Sequence, residues 1–330
     1  MKRLDYYWYS RSLWLVLLTP LSLLYRMVIW SRRFAYRAGI FSSQRMSRPV
    51  IVVGNLTVGG TGKTPLVAWL AGHLMQKGLQ PCIVARGYGG KARRWPQQVR
   101  PDSDPGIVGD EAVMLAEITG CPVSVGPDRV AAARQLLEHT ECNVVISDDG
   151  LQHYALQRDI EIAVIDGVRR FGTGFLLPAG PLREPLRRLQ EVDLIVVNGL
   201  AGSGEYPMRM LVGDARLLGD PQQQRALGEF RGQSVHAVAG IGNPERFFQA
   251  LQQYGMRIET HAFPDHHCFQ PEDIRFGDGR PVFMTEKDAV KCREFGAGNE
   301  WVVPVRAEMS QEFCKRLDEL LDTRSGMRHE

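Results

Sequence analysis

In this 330-residue chain the clearest chemistry lies in Thr57-Val58-Gly59-Gly60-Thr61-Gly62-Lys63-Thr64, a glycine-rich turn ending in a lysine and a threonine. Glycines let the backbone curl until successive N–H groups face one anion, and a helix starting near Pro65 would point its positive dipole end at the same place. In that setting Lys63 reaches the β- and γ-phosphates of a nucleoside triphosphate, and the Thr64 hydroxyl ligates Mg2+. The general pattern places glycine six positions before the lysine, where this chain has Thr57. The bland alternative is an ordinary βα turn. The adjacent Lys-Thr and the strand–turn–helix setting favour ATP or GTP binding.

Such a site needs a carboxylate beside the metal, usually at the C-terminal end of a buried strand. Asn143–Ser147 runs directly into Asp148-Asp149-Gly150, which puts two acids at that edge, as Mg2+ ligands or as a tight turn. Asp110, in Gly109-Asp110-Glu111, is either the N-cap of a helix or an acceptor for the proton of an attacking group. His266, in Asp265-His266-His267-Cys268, is open in the same way, structural or functional; two histidines and a cysteine in a row do not share one tetrahedral metal face. Pro178-Ala179-Gly180-Pro181-Leu182-Arg183-Glu184 is a rigid turn whose cation and acid suit phosphate and metal contacts. Thr285-Glu286-Lys287-Asp288 reads as a helix cap with solvated charges, and Arg86 as a cation beside a glycine loop.

The elements that must position these groups alternate. Val50–Val53, Cys82–Ala85, Asn143–Ser147, Ile160–Ile165 and Leu194–Val197 are continuous apolar runs of the kind buried on both faces of a parallel sheet, with helical patterns between them. This predicts an α/β fold, a P-loop NTPase-like, doubly wound, mainly parallel sheet. Past a stretch rich in Gln, Pro and Gly at 219–232, a second, smaller α/β domain is expected. The chain then divides into an N-terminal anchor over 1–48, a P-loop domain over 49–218 and a C-terminal domain over 219–330.

The charge of the chain is uneven. Residues 1–48 hold nine basic residues and one acid, against 31 basic and 36 acidic residues in the rest. The same arm carries the uncharged run from Ser12 to Tyr25, interrupted by Pro20 and flanked by Tyr6, Tyr7, Trp8, Tyr9 and Trp30. Aromatic rings and arginines around a short apolar run suit the headgroup layer of a membrane, so an interfacial or partly inserted helix is expected, with packing on the protein's own core as the alternative. Six cysteines far apart suggest neither a disulfide framework nor a zinc site and fit a reducing cytoplasm. No basic stripe with interleaved aromatics lies outside the anchor, so nucleic acid is not an expected partner.

Taken together, the motifs resemble one family, the tetraacyldisaccharide 4′-kinases that act on lipid A precursors. They are VGNLTVGGTGKTP at Val53–Pro65, ARGYGG at Ala85–Gly90, VGDEAVMLA at Val108–Ala116, SDDGLQH at Ser147–His153, LLPAGPLRE at Leu176–Glu184, FPDHHCF at Phe263–Phe269 and MTEKDAVK at Met284–Lys291. Thr57 then follows the family's own loop pattern. The resemblance implies transfer of the γ-phosphoryl of ATP to the 4′-hydroxyl of a tetraacylated glucosamine disaccharide 1-phosphate, at the cytoplasmic face of the inner membrane, and it implies no protein partner. It implies a catalytic dyad of Asp110 and His266, metal service by Asp148 and Asp149, and Arg183 and Glu184 near the phosphates and metal. A P-loop GTPase switch is the competing reading. It lacks its Asn-Lys-x-Asp signature, because Asn198 is followed by Gly199, Leu200 and Ala201.

Overall fold

The structure, a computed structural model, describes residues 7–9, 13–296 and 298–324. Lys2, Arg3, Asp5, Tyr6, Arg11 and Ser12 of the basic aromatic arm lie outside these residues.

The described chain begins with helix α1 (Leu13–Arg37), followed by β1 (Val50–Gly54), α2 (Lys63–Gln76), β2 (Pro81–Ala85), β3 (Gln97–Val99), α3 (Pro105–Val108), α4 (Asp110–Thr119), β4 (Val123–Val125), α5 (Arg129–His139), β5 (Val144–Asp148), β6 (Ile160–Asp166), β7 (Leu194–Asn198) and β8 (Tyr206–Val212). It continues through β9 (Ala215–Leu217), β10 (Gln224–Arg225), β11 (Ser234–Ala239), α6 (Pro244–Gln253), β12 (Arg257–Ala262), β13 (Val282–Thr285), α7 (Glu286–Cys292), β14 (Glu300–Val303), β15 (Val305–Met309) and α8 (Gln311–Arg324).

Nine strands form one sheet in the order β15-β8-β7-β6-β1-β5-β2-β4-β3, and β7-β6-β1-β5-β2-β4 run parallel. The uninterrupted apolar runs are explained by their two buried faces. Ile51 and Val53 of β1 pack under α2, α4 and α8, whereas Val50 and Val52 pack toward α5. Helix α2 contributes Leu66, Val67, Leu70, Ala71 and Leu74, whose three-and-four spacing makes one buried stripe. The register matters for the site: Val53 pairs with Asp148 and Gly54 with Ala163, so the turn leaving β1 emerges beside the acids that end β5.

A second, six-stranded sheet has the order β10-β9-β14-β13-β11-β12, with α6 and α7 in its two cores. The expected domain boundary needs a correction at its C-terminal end. Strand β15 returns to the first sheet and pairs antiparallel with β8, and Phe313, Leu317, Leu320 and Leu321 of α8 complete the first core. The second domain is therefore an insertion between β8 and β15. Short-range patterning cannot reveal this, since β15 differs little from a strand of the inserted sheet.

Helix α1 runs unbroken through Pro20 for 25 residues, longer than the apolar run by itself suggests. Leu15, Ser22, Ile29 and Arg33 face the protein, while Leu17, Leu21, Leu24, Met27, Val28 and Trp30 are exposed. Most of its apolar surface is thus not packed on the protein's own core. From Leu15 to Arg37 it is long and apolar enough to cross a membrane.

Candidate active site

The turn after β1 is held open by a second segment that the sequence does not obviously connect to it. Val58 N–H donates to the Pro181 carbonyl at 2.8 Å, Arg183 N–H donates to the Leu56 carbonyl at 2.6 Å, and Thr57 bridges Leu182 in antiparallel fashion. The proline-rich turn at 178–184 is therefore a backbone splint for the glycine-rich loop. Gly62, at φ 97°, caps α2 in a left-handed conformation and, as a glycine, brings no side chain to cap that helix. The first N–H groups of α2 are thus left for an anion. A Cβ on Gly62 would lie 2.6 Å from Met210 Cε and 2.8 Å from Asn198 Nδ2, so only glycine fits here.

Lys63, Asp148, Asp149 and Arg183 converge at this mouth, as their motifs suggest. Lys63 Nζ lies 3.7 Å from Asp149 Oδ1, and Arg183 Nη1 donates to both Asp149 oxygens at 3.0 and 2.8 Å. Burial would raise Asp149, but Lys63 and Arg183 outweigh it and hold the carboxyl below its usual range. Asp148 has the opposite balance. Burial, with the like charges of Glu111 and Asp149, pushes it up to about 7 against Lys63 and Arg129, and its Oδ1 is buried without a hydrogen-bond donor among the described residues. A carboxylate whose burial is uncompensated, lining the same cleft as Thr64 at the helix start, is a donor type that fits a hard divalent cation.

Glu184 is placed differently from the expectation. It is 0% exposed, sits 3.5 Å from Arg188 Nε and 3.7 Å from Arg33 Nη1, and does not line the cleft. The chain bends after Leu182, and Arg183 faces the loop through Asp149 while Glu184 faces Arg188 and Arg33 of α1. The same segment receives α1 directly: Ser22 Oγ donates to the Leu176 carbonyl at 2.8 Å and Tyr25 Oη donates to the Arg183 carbonyl at 3.2 Å, while Arg33 pairs with Glu191 a few residues further on.

Across the cleft, Asp110 and His266 meet. His266 Nδ1 is 3.0 Å from Asp110 Oδ2 and 3.1 Å from Oδ1. Gly109 caps α4, so Asp110 is the first helical residue rather than the cap; its Oδ1 accepts from Glu111 N–H at 2.8 Å. Burial would raise Asp110, which is 4% exposed, but the His266 hydrogen bond and the charges of Lys287 and Lys291 hold it below its usual value. The Asp110 hydrogen bond, opposed by burial and Lys287, raises His266 above its ordinary value. The neighbouring His267 is turned away, 3.0 Å from Asp273 and stacked on Phe263, so one histidine of the pair is structural.

Two lysines complete this side. Lys287 Nζ bridges Glu111 at 2.8 Å and Asp265 at 3.0 Å, while Lys291 Nζ lies 2.8 Å from Asp288 and 3.7 Å from Asp110. Thr285 does cap α7, accepting from Asp288 N–H. Yet Lys287 is not merely solvated: it ties the helix to the dyad. Lys291 was not singled out from sequence, although its i, i+4 spacing from Lys287 in one helix puts both on one face. Arg246 and Asn198 are further additions, with Arg246 Nη2 donating to Asn198 Oδ1 at 2.8 Å and Asn198 Nδ2 donating to the Thr61 carbonyl at 3.2 Å. These contacts link the inserted domain to the glycine-rich loop across a cleft of about 890 Å³.

Known proteins resemble this chain along nearly its whole length. The profile of the tetraacyldisaccharide-1-P 4′-kinase family matches residues 14–322. A tetraacyldisaccharide 4′-kinase of Nitrosococcus oceani is 56% identical over 96% of this chain and 93% of its own length. One from Methylobacillus flagellatus is 51% identical over 95% and 94%. Among solved structures, an "apo" form of LpxK from Aquifex aeolicus in complex with ATP superposes with a TM-score of 0.78 at 28% identity, covering 93% of this chain and 99% of that one.

Proposed function

The chain belongs to the tetraacyldisaccharide-1-P 4′-kinase family, and from that premise we propose how its cleft carries out the family's reaction. The protein is an ATP-dependent kinase of lipid A biosynthesis that phosphorylates the 4′-hydroxyl of a tetraacyl disaccharide 1-phosphate. The observation that carries the site assignment is the Asp110–His266 contact, made between two domains and opening on the same cleft as the glycine-rich loop.

In this reading the loop from Thr57 to Thr64 wraps the triphosphate with backbone N–H groups. Lys63 and Arg183 neutralise charge on the transferring phosphoryl group. Mg2+ would be held by Thr64 and Asp148 with Asp149 nearby, and would supply charge neutralisation to the transferring phosphoryl group. Asp149, already paired with Arg183 and Lys63, serves to position those cations. Glu184 holds the splint and α1 together instead of touching metal.

An alcohol has a pKa far above neutrality, so its proton must leave as the new P–O bond forms. The buried Asp110 carboxylate fixes the His266 Nδ1–H tautomer, and the more exposed ring offers Nε2 to the sugar hydroxyl. The proton passes to Nε2, and Asp110 stabilises the resulting imidazolium. Lys291 and Lys287 keep Asp110 ionised for that task.

The exposed apolar face of α1 lies in the membrane, on the side where an acylated substrate resides, and its docking on the 176–184 segment keeps the phosphate loop close to that surface. Incubation with γ-labelled ATP, Mg2+ and the tetraacyl disaccharide 1-phosphate in detergent tests the whole. The label is expected in the lipid with native protein and at background with Asp110→Ala. Label released only as inorganic phosphate would instead indicate a nucleotide switch.

A further inference from the structure

Far from the phosphate loop, three metal-ligating side chains gather on one face of the second sheet. His236 on β11 is opposite Glu259 on β12, and His261 follows Glu259 by two residues, so alternation brings all three to the same side. Candidate ligand atoms of the three lie within 4.8 Å of one another. His236 Nδ1 is 3.0 Å from His261 Nε2, Glu259 Oε2 is 3.8 Å from His236 Nδ1, and Glu259 Oε1 is 3.9 Å from His261 Nε2. Two strand residues at i and i+2 plus one on the neighbouring strand form a rigid platform for a metal.

The groups around this trio are those a metal site uses. His236 is 1% exposed and its other nitrogen, Nε2, lies 3.1 Å from Asp278 Oδ2. A carboxylate there fixes the proton on Nε2 and leaves the Nδ1 lone pair facing His261 and Glu259. Arg280 orders both acids: its Nε donates to Asp278 at 2.5 Å and its Nη2 donates to Glu259 Oε2 at 2.8 Å, which leaves Glu259 Oε1 free of the guanidinium. Phe276 stacks on both imidazoles, with centroids 3.8 Å from His236 and 4.3 Å from His261, and shields one side of the trio.

We propose that His236 Nδ1, His261 Nε2 and Glu259 Oε1 bind one borderline transition-metal cation, Zn2+ by its donor preference, with an open fourth position. Two imidazoles and a carboxylate select Zn2+ over Mg2+, which prefers an all-oxygen shell. Without metal, the His261 Nε2–H donates to His236 Nδ1. Binding moves that proton to His261 Nδ1 and frees Nε2 for the cation. The site pins edge strand β12, whose next turn carries His266 five residues after His261. It is therefore a structural clamp on the strand that delivers the dyad histidine.

The test uses the full chain stripped of metal by chelation and then titrated with Co2+ and Zn2+. Native protein is expected to give a visible Co2+ absorption of the low-coordinate, nitrogen-ligated kind, displaced by one equivalent of Zn2+, and a melting temperature raised by Zn2+. His261→Ala, partly exposed and remote from the cores, should abolish the band and the thermal shift, and Asp278→Asn should weaken Zn2+ binding about tenfold. His267→Ala should change neither. The variants are checked for native circular dichroism, with Glu259→Gln as the alternative if His261→Ala does not fold. An identical Co2+ spectrum in native and His261→Ala protein, or no band in the native protein, overturns the proposal. Neither readout depends on kinase activity.

Discussion

His266 Nδ1 lies 3.0 Å from Asp110 Oδ2 although the two residues are 156 positions apart in sequence. The Asp110 hydrogen bond is the largest influence on the ring and raises it above 6.5, its ordinary value. A base must be unprotonated to act, so the rate should rise with pH through an apparent value above 6.5 and level off beyond it. Asp110→Asn removes the hydrogen-bonded charge while burial remains. It should shift the limb to lower pH and reduce kcat by about 10²–10⁴-fold, with the KM for ATP little changed. A pH–rate profile flat from 5 to 9 would show that His266 is not the titrating base.

Gly62→Ala should cost nucleotide binding more than stability. The added methyl meets Met210 and Asn198, and the residue must keep a positive φ. Either strain displaces the start of α2, from which Lys63 extends. The KM for ATP is expected to rise by at least tenfold, measured alongside an unchanged secondary-structure spectrum.

Asp148→Asn and Glu184→Gln separate the two acids that the sequence treats alike. Asp148→Asn should weaken the Mg2+ dependence of the reaction and leave thermal stability unchanged or higher, because an uncompensated buried carboxylate is neutralised. Glu184→Gln should destabilise the protein by about 1–3 kcal/mol, because it removes one buried acid from a network in which Arg188 keeps Glu161 and Arg33 keeps Glu191, without altering the Mg2+ concentration for half-maximal rate. A reversed pattern would return Glu184 to the metal.

Replacing Leu17, Leu21, Leu24 and Val28 together by serine should release the protein from lipid vesicles. These side chains are exposed and touch no core, so ATP binding should persist. Vesicle co-sedimentation and nucleotide titration on the same sample decide it.

Much of this was legible along the chain because the signals are local. The glycine loop, the strand-end acids and the apolar runs each state their role within a dozen residues, since backbone curl, helix dipole and two-sided burial act over that range. The helix on the arm was visible too, although Pro20 made it look shorter than its 25 residues. Less legible was the fate of side chains that adjoin in sequence. Arg183 and Glu184 look like one phosphate-binding pair, but the bend there sends one to the loop and the other toward α1.

Sequence alone determined which chemistry was available: a cradle for phosphates, carboxylates at strand ends, a candidate base and an apolar face for a membrane. Tertiary structure decided which of these groups meet. Insertion of the second domain between β8 and β15 brings His266, Lys287 and Lys291 over Asp110, and chain separation gives no hint of that contact. The pairing of 178–184 with the glycine loop is likewise a long-range backbone contact. Local pattern encodes propensity and burial, whereas proximity between distant segments follows only from how the two sheets pack.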